Sequence, residues 1–207
     1  PRVRFLAALA LGSLRSRDAG ERIISMLREN DGKDRYLMHA GVVALEQIGD
    51  REFVQQWASD KSAAVRMAVL LVQRRWSDPR IAQFLDDAQL EIVTEASRAI
   101  NDLPLTTGRD KLANLAERFR NASGENVVPL MRRIINANLQ LGSRTNVEAV
   151  IDIATSAKQP MVIRTEAVST LSVWQGPTKR DRVTGVWQPI AARDPSTVRD
   201  AVQNSAS

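Results

Sequence analysis

One pattern of small and aliphatic residues recurs along the chain about every 28 to 38 residues, and it constrains the fold more than any other feature. Each copy has an aliphatic residue with an arginine nearby, then small residues, then a leucine-rich or aliphatic end. The clearer copies begin near Pro1, Asp34, Ala64 and Ile92, and the weaker ones near Met131 and Ile163. A repeat of this length accommodates one helical hairpin. The chain is therefore predicted to be a stack of about five to six hairpins.

The segments between the copies have the apolar spacing of a second helix. Leu112, Leu115 and Phe119 follow this spacing, as do Val147, Val150 and Ile151. Helix-breaking residues separate the segments: Asn30-Asp31-Gly32, Gly49-Asp50, Asp78-Pro79, Pro104, Gly124, Gly142 and Pro160. No useful length alternates with a period of two. The predicted fold class is all-α, with the hairpins forming an α-α superhelix.

Alanines in the repeat predict where successive helices approach most closely, because a small side chain lets two backbones come together. These alanines are Ala8, Ala40, Ala68, Ala96 and Ala167. The pattern stops after residue 175, where Gly176-Pro177, Gly185 and Pro189 predict an irregular tail. The predicted division is a helical-repeat solenoid over residues 1–175 and a tail over 176–207. A short helix is expected from Pro195 to about Gln203, and the lack of a polar terminal repeat indicates a stack that continues in a longer polypeptide.

Composition excludes several classes of chemistry. The chain has 207 residues and no cysteine, which excludes disulfides, thiolate zinc sites, a cysteine nucleophile and covalent c-type haem within this sequence. The net charge of +5 is modest for a nucleic-acid-binding protein, whose basic residues are usually concentrated in one patch. No apolar stretch approaches the roughly 18–20 residues that span a bilayer. Neither a nucleic acid nor a membrane is therefore expected as a partner.

Four strings carry a resemblance to a known family. They are Asp34–Val42 (DRYLMHAGV), Ile81–Asp87 (IAQFLDD), Glu95–Asp102 (EASRAIND) and Arg180–Pro189 (RDRVTGVWQP). The repeat as a whole resembles HEAT repeats, but generic HEAT proteins lack the fourth string. Together the strings are similar to the HEAT-repeat region of large haem-binding, membrane-bound-type dehydrogenases from planctomycete and verrucomicrobial bacteria, and they touch most of residues 1–194.

This resemblance implies a role without chemistry of its own. Members of that family look like a sugar-dehydrogenase-type β-propeller, then HEAT repeats, then a c-type cytochrome module, and the redox reaction belongs to the flanking modules. The present sequence lacks the Cys-x-x-Cys-His haem attachment motif and any propeller-like run of strands. No catalytic or haem-ligating residue carries over, and no cofactor is expected in this segment. The resemblance also implies a periplasmic or exported location.

Arginines recur near the first turn of the leading helices, at Arg4, Arg35, Arg66, Arg132 and Arg164. Such a series can hold an acidic partner or phosphates through bidentate hydrogen bonds. It can also bridge adjacent hairpins through loop aspartates, for which Asp31, Asp60 and Asp78 are suitably placed. The bridging role is the favoured interpretation, because HEAT-type repeats often use arginines in this way.

The remaining candidates are a histidine, an acidic pair and the tryptophans. His39 is the only histidine, and a helix residue hydrogen-bonded to a neighbour is favoured over a lone haem or catalytic ligand. Asp86-Asp87 lacks the spacing of a calcium loop, so helix capping is favoured. Trp57, Trp76 and Trp174 are expected to fill repeat junctions, whereas Trp187 is expected to fold over the stack or to contact another domain. The candidate interaction surface comprises Arg35, His39, Arg66, Arg132, Arg164 and Trp187.

These features are compatible with three hypotheses for function. The leading one is a non-catalytic scaffold that joins, or docks onto, the redox domains of a larger exported dehydrogenase. The second is a stand-alone module that binds a peptide or a partner helix. The third is a HEAT-like DNA glycosylase, which the basic balance and the tryptophans suggest only weakly, and it requires salt-dependent DNA binding.

Overall fold

The chain is all-helical, as the sequence predicts. A computed structural model describes residues 2–103, 105–194 and 196–205, and within these ranges the only β-pairing is an isolated antiparallel bridge between Arg180 and Trp187. Predictions that involve Pro1, Pro104 or Pro195 lie outside the described residues.

No helix in the described ranges is both long enough and apolar enough to cross a membrane.

The chain divides into two compact units, residues 1–92 and residues 93–207. The first unit contains α1 (Arg2–Ser13), α2 (Gly20–Asn30), α3 (Arg35–Ile48), α4 (Arg51–Gln55) and α5 (Ala63–Arg75), with 3-10 helices at Arg17–Ala19 and Pro79–Asp86. Helix α6 (Leu90–Asp102) begins at the end of this unit. The second unit continues with α7 (Arg109–Arg118), a 3-10 helix at Glu125–Val127, α8 (Val128–Leu141), α9 (Arg144–Thr155), α10 (Met161–Ser172) and α11 (Ser196–Ser205).

The helix boundaries follow from local side-chain chemistry. At the start of α3, a carboxylate oxygen of Asp34 accepts hydrogen bonds from the backbone N–H groups of Tyr36 (2.8 Å) and Leu37 (3.3 Å). These bonds satisfy two amide groups that the helix itself leaves without acceptors. The same helix ends at Gly49, whose φ of +76° is the left-handed conformation that glycine adopts without strain. Gly142 ends α8 in the same way, with φ of +73°.

In the first unit, α3 is the central helix and packs against α1, α2 and α5. Ala40 and Ala44 are fully buried there, and the Cα of Gly12 in α1 lies so near Ala44 that no side chain fits between them. The five alanines predicted at close helix approaches are all buried: Ala8, Ala40, Ala68, Ala96 and Ala167. Small residues therefore set the spacing between the helices, as the repeat predicts.

In the second unit, α8 is central and packs against α7, α9 and α10, while α9 also packs against α11. Trp174, which follows α10, is fully buried. Residues 176–194 contain no helix, as predicted, and belong to the same compact unit as α7–α11. The boundary after Ile92 adds a division that the repeat pattern does not contain, and the division at residue 175 stays a prediction.

Two of the second helices, which the sequence predicts to be shorter than the others, are short, and one of them is a 3-10 helix. The segment of Phe53 and Trp57 forms only the five-residue α4, and the segment of Ile81 and Phe84 forms the 3-10 helix Pro79–Asp86. Helix α4 buries Val54, and the 3-10 helix buries Ile81, Phe84 and Leu85. A short helix leaves many of its amide groups without intrahelical acceptors, and Asp50 and Asp78 satisfy some of them at the two N-termini.

Candidate interaction surfaces

The predicted site residues of the first unit have two different environments. Arg35 and His39 are exposed on α3, and Arg35 lies over the ring of the neighbouring Tyr36. The His39 side chain makes no hydrogen bond with any residue in the described ranges, so the neighbour expected to bind it is absent there. Arg66 is mostly buried and serves the fold. The structure thus separates Arg66 from the two exposed side chains on α3.

Arg66 joins two loops of the first unit. Its Nε and Nη2 atoms donate to the two carboxylate oxygens of Asp87 at 2.7 and 3.0 Å, and its Nη1 donates to the carbonyl oxygen of Asp60 at 2.8 Å. Burial tends to raise the pKa of Asp87, but the hydrogen bonds from Arg66 and from the Gln89 N–H outweigh it and hold this pKa below its usual value. This is the bridging role that the sequence favours for the arginines.

Two of the three predicted loop aspartates accept hydrogen bonds from arginines, and Asp31 is the exception. Asp60 accepts from Arg28 at 2.7 Å, and the nearly buried Asp78 accepts from Arg51 at 3.2 Å and from Arg80 at 2.8 Å. Asp31 instead ends α2 in the left-handed conformation and makes no ion pair within the described part of the chain. Asp87 also accepts from the Gln89 N–H at 2.9 Å in the turn before α6, and capping of that helix by the acidic pair stays a prediction.

In the second unit, the arginine with the bridging role is Arg133 and not Arg132. The Nε and Nη2 atoms of Arg133 donate to both carboxylate oxygens of Asp102, at 3.1 and 2.9 Å. Arg132 is exposed, and its Nη2 lies 3.9 Å from Glu166. Arg164 donates from Nε to the carbonyl oxygen of Ala154 at 3.2 Å. The repeat therefore predicts the type of residue that forms this bridge but not the residue itself.

The tail is attached to α8 by the buried carboxylate of Asp181. One oxygen accepts from the side-chain amides of Asn136 and Gln140, and the other accepts from the N–H groups of Val183 and Thr184 and from the Thr184 hydroxyl. The Asp181 N–H donates to the carbonyl oxygen of Val186 at 2.8 Å. These bonds close a compact turn around Asp181. No pattern in the sequence distinguishes Asp181 from the other tail acids.

Trp187 lies at the far side of this turn, and 60% of it is exposed. Its backbone pairs with Arg180, and the Lys179 ammonium lies 5.8 Å from the centre of its ring. Trp187 also lines an open cavity together with Glu166 of α10, and folding over the stack stays a prediction. Contact with another domain stays a prediction. Trp174 is the tryptophan that packs inside the second unit.

An apolar stripe on α1 is an exposed feature that the repeat pattern does not indicate. Val3, Leu6 and Leu14 are 80%, 63% and 77% exposed, and the exposed Ala7 and Ala10 lie between them. Their spacing of three or four residues places them on one side of the helix. Beside the stripe lies an open groove of about 480 Å³ between α1 and α2, lined by Ala7, Leu11, Ile23 and Met26 among others.

An ion pair crosses this groove at its rim. Arg4 in α1 donates to Glu29 in α2 at 3.0 Å, and both side chains are more than half exposed. An exposed pair of this kind contributes little to stability. The groove therefore presents apolar side chains together with two arginines, Arg4 and Arg22, and two glutamates, Glu21 and Glu29.

The described residues form an all-helical protein with exposed apolar side chains on α1. Within them, no group of three or more histidine, aspartate or glutamate side chains is placed to hold a metal ion. Comparisons with protein-family models, with curated proteins and with solved structures give no match. The resemblance to HEAT repeats accordingly stays a prediction.

Proposed function

We propose that the chain is a non-catalytic HEAT-like helical-repeat scaffold, and that the apolar stripe of α1 packs against a further helix of the same parent polypeptide. In this proposal the hairpins form an α-α superhelix, and the parent is a haem-containing dehydrogenase of the family that the sequence resembles. The single observation that carries the proposal is the exposed stripe formed by Val3, Leu6, Ala7, Ala10 and Leu14.

A comparison of α1 with α3 supports this role for the stripe. Helix α3 has a neighbouring helix on each side, α1 and α5, and seven of its residues are buried. Helix α1 packs against α3, and only Ala8 and Gly12 are buried. Its outer side nevertheless carries aliphatic residues at helical spacing. That side has the composition of a helix–helix contact, and a helix is the partner that matches its shape.

The size of the stripe favours a partner helix on the same polypeptide. Covering Val3, Leu6 and Leu14 contributes on the order of 5 kcal/mol. Association of two separate molecules costs about as much or more in lost freedom of motion. A tethered helix avoids most of that cost because its effective concentration is high. An intramolecular contact is therefore favoured over capture of a free protein.

The proposed setting assigns the chemistry to other modules. By the resemblance, a β-propeller dehydrogenase and a c-type cytochrome would flank the repeats in an exported protein, and the repeats would hold them in position. The gene that encodes the chain tests this setting directly. We expect a run of propeller strands on one side and a Cys-x-x-Cys-His motif on the other, and the absence of both contradicts the dehydrogenase setting.

Photo-crosslinking tests the docking surface. A photoreactive phenylalanine analogue replaces Leu6 in the full-length parent protein, and crosslinked residues are mapped by mass spectrometry. We expect intramolecular crosslinks to residues three or four positions apart in one helix outside residues 1–207. The same analogue at Tyr36, which is 60% exposed on α3, serves as the control and is expected to give few crosslinks.

Three outcomes contradict the docking proposal. They are crosslinking from Leu6 no stronger than from Tyr36, crosslinks to α1 of a second copy, and crosslinks to a separate protein only. The second outcome would show self-association, which sedimentation equilibrium measures independently.

A further inference from the structure

An open cavity of about 370 Å³ lies between the tail and the start of α7 in the second unit. Its lining includes two guanidinium groups, those of Arg109 and Arg193, together with the side chains of Gln140 and Gln188. Arg109 is the first residue of α7, and Arg193 is near the end of the tail. The cavity does not include the stripe on α1, so any role of the cavity is independent of the proposed function.

Arg193 is held in a fixed position. Its Nη2 donates to the carbonyl oxygen of Gln140 at 3.1 Å, and its guanidinium carbon lies 5.4 Å from the centre of the Trp174 ring. The group also lies against the Cα of Gly142, where any side chain would overlap it. No carboxylate pairs with Arg193 within the described part of the chain, and its Nη1 is buried without an acceptor.

Arg109 likewise lacks a partner of opposite charge. It is half-buried, and its guanidinium group makes neither a hydrogen bond nor an ion pair with any described residue. Burial lowers the pKa of Arg109, although the charges of Asp181 and Asp110 oppose this effect, and burial alone lowers the pKa of Arg193. Both shifts show that the cavity stabilises the positive charges less well than water does.

Asp181, whose charge acts on Arg109, is already hydrogen-bonded by other groups. The two oxygens of Asp181 accept hydrogen bonds from Asn136, Gln140, Val183 and Thr184. Gln188 contributes a further donor, because its carboxamide oxygen accepts from Gln140 while its Nε2 has no acceptor in the described residues. The two guanidinium groups and this amide are all donors. Of the two carboxylates whose charges act on Arg109, Asp181 is already hydrogen-bonded and Asp110 makes no ion pair with Arg109.

We infer that this cavity is a binding site for a small oxoanion, that is, a carboxylate or a phosphate group. Guanidinium groups bind both through paired, charge-assisted hydrogen bonds. The oxoanion would supply the acceptors that Arg109 and the Gln188 amide lack. The volume of the cavity accommodates a ligand of the size of succinate or inorganic phosphate.

Nuclear magnetic resonance titration tests the site in the complete 207-residue chain. The Nε–Hε signals of the arginines are followed while phosphate or succinate replaces chloride at constant ionic strength. We expect saturable shifts of the Arg109 and Arg193 signals. A preference for succinate identifies a carboxylate ligand, a preference for phosphate identifies a phosphate ligand, and comparable binding of both supports the shared chemistry.

Substitution of Arg109 separates the site from general charge effects. We expect Arg109→Gln to weaken binding about tenfold or more, because it removes a charge-assisted hydrogen bond. Arg199→Gln removes the same charge from an exposed arginine whose side chain has no partner among the described residues, and it is expected to leave binding unchanged. Arg109 makes no hydrogen bond or ion pair with a described residue, so the circular dichroism spectrum of Arg109→Gln should match that of the wild type.

Other outcomes overturn the inference. They are shifts that rise linearly without saturation, binding that Arg109→Gln leaves intact, and equal losses in the Arg109→Gln and Arg199→Gln variants. Arg193→Gln is a secondary variant, because Arg193 also packs on Trp174 and its replacement affects the fold of the tail.

Discussion

At the scale of single residues, the arginine–aspartate pairs show what local sequence determines and what it does not. The repeat predicts arginines that bridge loops through aspartates. Arg66 forms such a bridge with Asp60, and Asp78 accepts one from Arg51. The repeat selects Arg132, but the bridge is made by Arg133. Adjacent residues point about 100° apart around a helix. Which of the two arginines is used therefore depends on the position of Asp102, about thirty residues earlier, and no local pattern contains that information.

Asp78 makes the stability of the first unit dependent on pH. The hydrogen bond from the Arg80 side chain is the main cause that lowers the pKa of Asp78, and burial opposes it. In the unfolded chain this carboxyl titrates near its usual value of about 3.9. Between the two pKa values the unfolded state binds more protons than the folded state. The stabilisation is therefore complete above about pH 5 and is lost as the pH falls through the folded pKa.

The test is the variant Asp78→Asn. We expect its free energy of unfolding at pH 7 to be about 2 kcal/mol below that of the wild type, because charge-assisted hydrogen bonds are lost. Between pH 5 and pH 3 the variant should lose less of its free energy of unfolding than the wild type does. Some pH dependence should remain, because the pKa values of Asp60 and Asp87 are lowered too. Urea denaturation at several pH values measures this, and an unchanged slope against pH contradicts the assignment.

At the scale of helices, the sequence predicts the leading helices well and the second helices less well. The boundaries of α3 can be read from Asp34 and Gly49, because capping and left-handed glycine are local effects. The 3-10 helix Pro79–Asp86 was not predicted. Its apolar spacing also fits an α-helix, so the spacing does not distinguish the two helix types, and the segment packs against α5. The exposed stripe on α1 has the same spacing as a buried one, so periodicity alone does not reveal its exposure.

The close contact of α1 with α3 depends on Gly12. A Cβ atom at this position would lie 2.6 Å from the Cα of Ala44, so Gly12→Ala forces the two helices apart. Overpacking of this kind costs about 1–3 kcal/mol, and the better helix propensity of alanine returns less than 1 kcal/mol. We expect the melting temperature to fall by about 3–6 °C. Gly176→Ala is the control, since its Cβ would meet no atom within 4 Å, and it should change stability little.

At the scale of the whole molecule, contacts distant in sequence are the ones that the sequence did not predict. Arg109 and Arg193 line one cavity although 84 positions separate them, and the tail between Gly176 and Asp194 has no periodicity to follow. The tail is positioned by the polar network around Asp181 and not by an apolar face. Apolar spacing therefore predicts the helices but not the conformation of the tail.

The proposed superhelix makes a prediction about how far a local change spreads. Ala68 is fully buried in α5, and Ala68→Leu adds three carbon atoms at a close helix approach. We expect the melting temperature to fall by about 5 °C.

In a stack where each hairpin contacts only its neighbours, amide protection should decrease most in α3, α5 and residues 79–86 and least in α9 and α10. Hydrogen exchange read by mass spectrometry measures this, with Ala10→Leu on the exposed side of α1 as the control. An equal loss of protection along the chain would indicate one cooperative core and contradict the superhelix, whereas an unchanged melting curve would contradict the position assigned to Ala68.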